Sequence, residues 1–106
     1  MPIFRCTVYN GFMSSTRHIK VYTNHIEISS IFLYKCEYQH SQIVKIIKFS
    51  KNPFKLKIEI NMGTRKNEII DLEMFSKNKF IRHMESIGHT IETRERFKRE
   101  KTRWLE

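Results

Sequence analysis

The sequence predicts a mainly β domain of the β+α kind, with about seven short antiparallel strands forming a small barrel or sandwich closed by one C-terminal helix. Three observations predict it. Apolar and polar residues alternate with period two in run after run between Ile3 and Met74. Those runs are parted by short turn-forming stretches such as Asn10-Gly11, Asn24-His25 and Met62–Asn67. The period then switches once, to helical spacing, over residues 76–87.

Ile3 to Tyr9 reads as the first strand, with Ile3, Arg5 and Thr7 alternating against Phe4, Cys6 and Val8. Asn10-Gly11 marks a turn, and Ser14-Ser15-Thr16 reads as a polar loop. His18–Thr23 alternates again. Asn24 tolerates a tight turn, and His25–Ser29 returns as the second arm of a hairpin. Ile31–Tyr38 sets Phe32, Tyr34, Cys36 and Tyr38 on one face and Leu33, Lys35 and Glu37 on the other. His40-Ser41-Gln42 interrupts the pattern before Ile43–Phe49. Asn52-Pro53 breaks it once more, because proline pushes the residue before it away from helix. In Phe54–Ile60, four apolar positions alternate with Lys55, Lys57 and Glu59, giving one buried and one wet face. Glu68–Met74 is the last strand.

Ser76 stands where a helix cap is expected, and Phe80, Ile81, Met84 and Ile87 share one helical face. Gly88 supplies the left-handed residue on which helices commonly end. From Glu92 to Glu106 the chain carries six basic and four acidic residues in 15, with Phe97, Trp104 and Leu105 as apolar anchors. Glu92/Arg96 and Glu95/Arg99 have i,i+4 spacing, so a charged helical tail is expected there. The organisation is thus a domain over residues 1–90, with its N-terminal strand at 3–9 and its closing helix at 76–87, followed by a tail over 91–106.

This order of elements resembles the bacterial pleckstrin-homology-like (PH-like) domains over residues 18–88. The resemblance is carried by Ile19-Lys20-Val21-Tyr22-Thr23 with Ile26-Glu27-Ile28, then by Gln42-Ile43-Val44-Lys45-Ile46, Phe54-Lys55-Leu56-Lys57-Ile58 and Glu68-Ile69-Ile70-Asp71-Leu72. The helix Lys79-Phe80-Ile81-Arg82-His83-Met84 through Ile87-Gly88 completes it. It implies a seven-stranded barrel or orthogonal sandwich with the helix plugging one open end. It also implies a binding module for phosphorylated lipid head groups, peptides or protein surfaces, although fold alone does not fix function. Lipid-binding members carry clustered basic residues in the first hairpin loop. Arg17-His18 and Lys20 do not reproduce that cluster, so phosphoinositide recognition carries over to no residue of this chain.

Lys and Arg number 20 against 11 Asp and Glu, a net charge of +9 on 106 residues. The expected partners are therefore acidic: a protein surface, or an anionic membrane touched peripherally. Nucleic acid is the second reading, with Tyr22, Tyr34 and Tyr38 as its stacking residues. Alanine is absent while Ile occurs 15 times and Lys 12 times, a bias of AT-rich coding that loads lysine onto wet faces. The placement of the charge therefore counts for more than its sum. Two cysteines, no leader pattern in Met1–Phe12 and no apolar run near the roughly 20 residues of a span suggest a cytoplasmic domain. Cys6 and Cys36 read as small buried hydrophobes, with a bridge open to them only if their strands pair. The five histidines show no paired ligand spacing, and neither a Gly-rich phosphate loop nor a nucleophile elbow is present. No metal, cofactor or catalytic residue is expected, and the chain reads as a non-enzyme.

Two basic groups remain as candidate binding residues. Lys45, Lys48, Lys51, Lys55 and Lys57 fall in a stretch, Tyr38–Ile58, that contains no acidic residue. If the two strands there pair, these lysines gather near one edge and its turn, as a phosphate- or acid-binding patch or as a solvated face that blunts an edge. Arg94 and Arg96, with Trp104 at the far end of the tail, form the second group, suited to nucleic acid, an anionic surface or a partner groove, or else part of a charged helix lying on the barrel or on a second copy of the chain.

Overall fold

The computed structural model describes residues 1–10, 13–30 and 35–98. Its strands are β1 (Ile3–Asn10), β2 (Met13–Val21), β3 (His25–Ser29), β4 (Lys35–Gln39), β5 (Ile43–Phe49), β6 (Asn52–Ile60), β7 (Glu68–Glu73) and β8 (Ile91–Arg94). One helix, α1 (Lys77–Ser86), lies between β7 and β8, and a 3-10 turn at His40–Gln42 joins β4 to β5. All eight strands belong to one sheet in the order β4-β3-β2-β1-β7-β6-β5-β8. Among the described residues that sheet has two edges, β4 and β8, so it is open rather than closed into a barrel.

β1 joins the halves. It pairs with β2 from Ile3 to Asn10 but with β7 only through Thr7, Val8 and Tyr9. Both halves turn their period-2 apolar faces onto one core: Phe4 and Cys6, Ile19 and Val21, Ile26 and Ile28 from one, Ile46, Leu56, Ile58, Ile60 and Leu72 from the other. Phe80, Ile81 and Met84 of α1 complete it, with Phe80 edge-on to Phe4 at 5.2 Å between ring centroids. Ile87, expected on that face, is exposed instead because the helix stops at Ser86 and Ile87 is already its C-cap. Gly88 takes φ +103°, the left-handed conformation its place after the helix calls for.

Four further expectations are corrected. The tail is not helical where the structure describes it: residues 91–94 form β8, parallel to β5, with Ile46↔Ile91 through Phe49↔Arg94 in register. The sheet is therefore mixed rather than wholly antiparallel, and it extends past residue 90. The cause lies in the backbone of β5, whose outer edge would otherwise be unpaired. Ile46 N donates to Thr90 O at 2.9 Å and Ser50 N to Arg94 O at 2.9 Å. Ser14-Ser15-Thr16 is strand rather than loop, paired with Tyr9, Val8 and Thr7, since ladder hydrogen bonds use the backbone and tolerate polar side chains. The bridge left open between Cys6 and Cys36 does not form, because β2 and β3 separate β1 from β4. The expected strand residues 31–34 and the tail residues 99–106, including Trp104, lie outside the described residues.

Candidate functional site

β5 and β6 do pair as an antiparallel hairpin, so the lysines are gathered on one half of the sheet. Most of them arrive there with carboxylates. Lys57 Nζ lies 3.0 Å from Asp71 Oδ1, and the two side chains are only 3% and 4% exposed. Lys55 Nζ lies 3.4 Å from Glu73, whose other bond is from Tyr9 Oη at 3.0 Å. Lys45 donates to Glu92 at 2.8 Å, and Arg94 bonds the second oxygen of the same carboxylate. Those two cations hold the Glu92 carboxyl below its ordinary range. Lys51 and Arg96 both face Glu95, at 4.0 and 3.9 Å. The acids come from β7 and β8, segments with no place in the acid-free stretch that drew attention to the lysines.

The same face buries aromatic surface. Ile47 and Phe49 are buried on the side of β5 away from the main core, and Phe97 packs edge-on against Phe49 at 5.3 Å. The Lys55 and Lys57 ammonium groups stand 4.9 and 5.1 Å from the Phe97 ring centroid, and Lys55 stands 4.0 Å from that of Tyr9. Phe97 anchors the chain after β8, as its sequence position suggested, but without a helix. Of the candidate residues, Lys45, Lys55, Lys57 and Arg94 thus hold the molecule together, while Lys48 and Lys51 stay at the turn end of the hairpin.

At that end lies a feature the sequence reading missed. Phe75 is 87% exposed and Phe54 40% exposed, with their rings in edge-on contact at 5.0 Å. Met74 N donates to Phe54 O at 2.9 Å and fixes the pair at the junction of β6, β7 and α1. Strand parity could have found Phe75, since Leu72 and Met74 point inward and the next residue must point out. The same parity misassigns Phe54 to the core. Pro53 and Phe54 are exposed at the start of β6, ahead of its buried run from Leu56 to Ile58.

Basic residues lie on β1, β5 and α1 near this junction. Arg5 lines a cleft of about 360 Å³ together with Phe75 and Ser76. Lys79 is exposed in the first turn of α1. Lys77, beside it, is buried: its Nζ donates to Asn52 O at 2.8 Å and to Lys55 O at 3.2 Å, tying the helix to β6. Burial, and then the nearby Lys48, lower the Lys77 pKa. A lysine at a helix N-terminus opposes the dipole, and the β6 carbonyls offset that here. Arg5, Lys48 and Lys79 have no carboxylate partner among the described residues.

Two histidine features are also absent from sequence spacing. His25, Glu27 and Glu37 bring possible metal-ligand atoms within 4.8 Å of one another, because Glu27 and Glu37 face each other across β3 and β4. Lys35 already spans both carboxylates, at 3.8 and 3.2 Å. His40 Nδ1 lies 2.8 Å from His89 Nε2, and His40 Nε2 lies 2.8 Å from Tyr22 O. That clasp joins the turn between the half-sheets to the segment after α1. Burial, and then His40, lower the His89 pKa. Of the tyrosines named for base stacking, Tyr38 is buried in the core, Tyr22 stacks on His25 at 4.5 Å, and Tyr34 lies outside the described residues.

No family model matches the chain, and no curated protein matches it. Among solved structures, it is similar to the C-terminal domain of an unknown protein from Leishmania infantum, with a TM-score of 0.69 at 14% identity over 82% of this chain and 81% of that one. At that identity the likeness extends to the fold alone.

Proposed function

We propose that this chain is a non-catalytic, PH-like interaction module that docks peripherally on an anionic membrane surface through the end of the molecule carrying Phe54 and Phe75. The observation behind this reading is the exposed aromatic pair near basic residues that no carboxylate of the described residues neutralises. Two protruding rings suit the bilayer interface better than a flat protein face, because aromatic bodies bury among lipid head groups without needing a shaped pocket. Basic side chains near an anionic leaflet add about 1 kcal/mol each, so Lys48, Lys79 and Arg5 would reinforce two shallowly inserted rings. No helix among the described residues is long and apolar enough to cross a membrane, and the proposed contact needs none. The PH-like assignment rests on the residue pattern over 18–88 and on the succession of strands followed by α1.

Co-sedimentation with phosphatidylserine-containing and pure phosphatidylcholine vesicles tests this. Binding to the anionic vesicles alone is expected, weakened by added salt and reduced roughly tenfold or more by Phe54→Ser with Phe75→Ser. Lys48→Glu with Lys51→Glu should act in the same direction. Absence of vesicle binding at about 0.15 M salt would overturn the proposal. Steeply salt-dependent binding to random RNA or DNA in its place would favour the nucleic-acid reading, and retention on polyglutamate alone would favour an acidic protein face.

A further inference from the structure

Glu27 of β3 and Glu37 of β4 stand directly opposite each other across an antiparallel pair, where like charges repel. His25 lies two residues before Glu27 on the same strand and so on the same face. Together these side chains offer one imidazole nitrogen and two carboxylate oxygens within 4.8 Å of one another. Glu27 is the unusual member. Ile26 and Ile28 on either side of it face the core, so Glu27 points the other way, yet its side chain is only 9% exposed. Among the described residues its carboxylate accepts no hydrogen bond, and its one ion-pair partner is Lys35 at 3.8 Å, beyond hydrogen-bond reach. Lys20, opposite Glu27 on β2, forms no ion pair with it among those residues. His25 is held from two sides. Asn24 Oδ1 lies 2.7 Å from its Nδ1, and the Tyr22 ring stacks on it nearly parallel. An amide oxygen on one ring nitrogen sets the tautomer that leaves the other nitrogen's lone pair for a cation.

We propose that His25, Glu27 and Glu37 form a binding site for a divalent transition-metal ion, with Zn²⁺ the ion their chemistry favours. Zinc takes imidazole nitrogen and carboxylate oxygen together, and its open sites pair three protein ligands with a water in the fourth position. The imidazole turns the choice away from Mg²⁺ and Ca²⁺, which take oxygen ligands. A divalent ion between the opposed carboxylates removes their repulsion and satisfies the buried Glu27 directly, which an ammonium 3.8 Å away does not. Tetrahedral zinc draws its ligand atoms to roughly 3.4 Å from one another, so the set closes slightly on binding, and the exposed Glu37 has the freedom to move in. Lys35 is the built-in competitor. Its ammonium holds both carboxylates, at 3.8 and 3.2 Å, and its long exposed side chain can swing into water as the metal enters. The site lies on β3 and β4, in the half of the sheet that does not include β6, and stands or falls independently of the membrane proposal.

Zn²⁺ titrated into the full chain and followed by calorimetry tests this, with Mg²⁺ as the comparison ion. Saturable one-to-one Zn²⁺ binding is expected, with Mg²⁺ at least about a hundredfold weaker. His25→Gln and Glu37→Gln, neither of them at a buried position, should each weaken Zn²⁺ at least about tenfold. Lys35→Gln should tighten Zn²⁺ by about tenfold, because the competing ammonium is gone, an effect that a salt bridge with no metal role would not produce. The other close histidine pair supplies the control: His40→Gln should leave Zn²⁺ affinity unchanged. Should Lys35→Gln fail to fold, the two ions on the native chain and the histidine variants decide. No Zn²⁺ binding, Mg²⁺ binding as tightly as Zn²⁺, affinity lost in His40→Gln but kept in His25→Gln, or affinity unchanged in a folded Lys35→Gln would each overturn the proposal.

Discussion

Two regions of this molecule use the same residue types to opposite ends. On the outer face of β5–β8, Lys45, Lys55 and Lys57 meet Glu92, Glu73 and Asp71, and Phe49 meets Phe97. At the end formed by the start of β6 and the start of α1, Phe54 and Phe75 meet edge-on in the open, with Lys79 in the first turn of α1 and Lys48 on the neighbouring β5. The difference is the supply of carboxylates and of a covering segment. Where β7 and β8 bring acids and the chain after β8 brings Phe97, lysine and phenylalanine become internal structure. Where neither arrives, the same residues remain surface, and only such residues are available to a partner.

Perturbing the covered face should therefore cost stability, and the largest effect is expected at the buried ion pair. Asp71→Ala removes the carboxylate beside the Lys57 ammonium, whose side chain is 3% exposed, at a cost of about 3–5 kcal/mol in urea unfolding. Lys57→Met combined with Asp71→Leu should recover most of that loss, since an apolar pair needs no desolvation of charge. Phe97→Ala comes next, at about 2 kcal/mol for the lost apolar burial and cation contacts. The same experiment on the open end, Phe75→Ser, should leave unfolding nearly unchanged, within about 0.5 kcal/mol, while reducing vesicle binding. A stability loss at Phe75 comparable to that at Phe97 would erase the contrast between the two regions.

The His40–His89 clasp gives a smaller effect with a definite sign. The folded His89 pKa lies below its ordinary value of 6.5, through burial first and His40 second. The unfolded chain therefore takes up a proton more readily than the folded one as pH falls through 6.5. Stability from this group is full above that pH and declines below it, until the folded pKa is passed. Chemical unfolding between pH 7.5 and pH 5.5 should show a decline that His89→Gln reduces.

Much of the framework was legible because period-2 alternation reports which face of a strand meets the core, whatever its neighbours are. The hairpin of β5 and β6, the inward runs of β3 and β7, and α1 with Phe80, Ile81 and Met84 all follow from spacing alone. The failures share one cause: local patterns do not carry non-local partners. Glu92 and Arg96 have helical spacing, but the unpaired edge of β5 claims the segment as a strand. Ser14 and Ser15 look like a loop until Val8 and Tyr9 stand opposite them. The lysines form an acid-free stretch in sequence, and the acids that pair with Lys45, Lys51, Lys55 and Lys57 come from segments 14 to 47 residues away, as in Lys57–Asp71 and Lys45–Glu92.

By itself the sequence determined a mainly β chain with one helix, the apolar faces of most strands and the basic excess. Each is a property of a residue and its near neighbours, fixed by side-chain chemistry and backbone periodicity. The tertiary structure alone decided which charges are spent internally and that Phe54 and Phe75 stay in water together. Those outcomes depend on which strands become neighbours, and strand order in the sheet is set by the packing of the whole chain rather than by any segment of it.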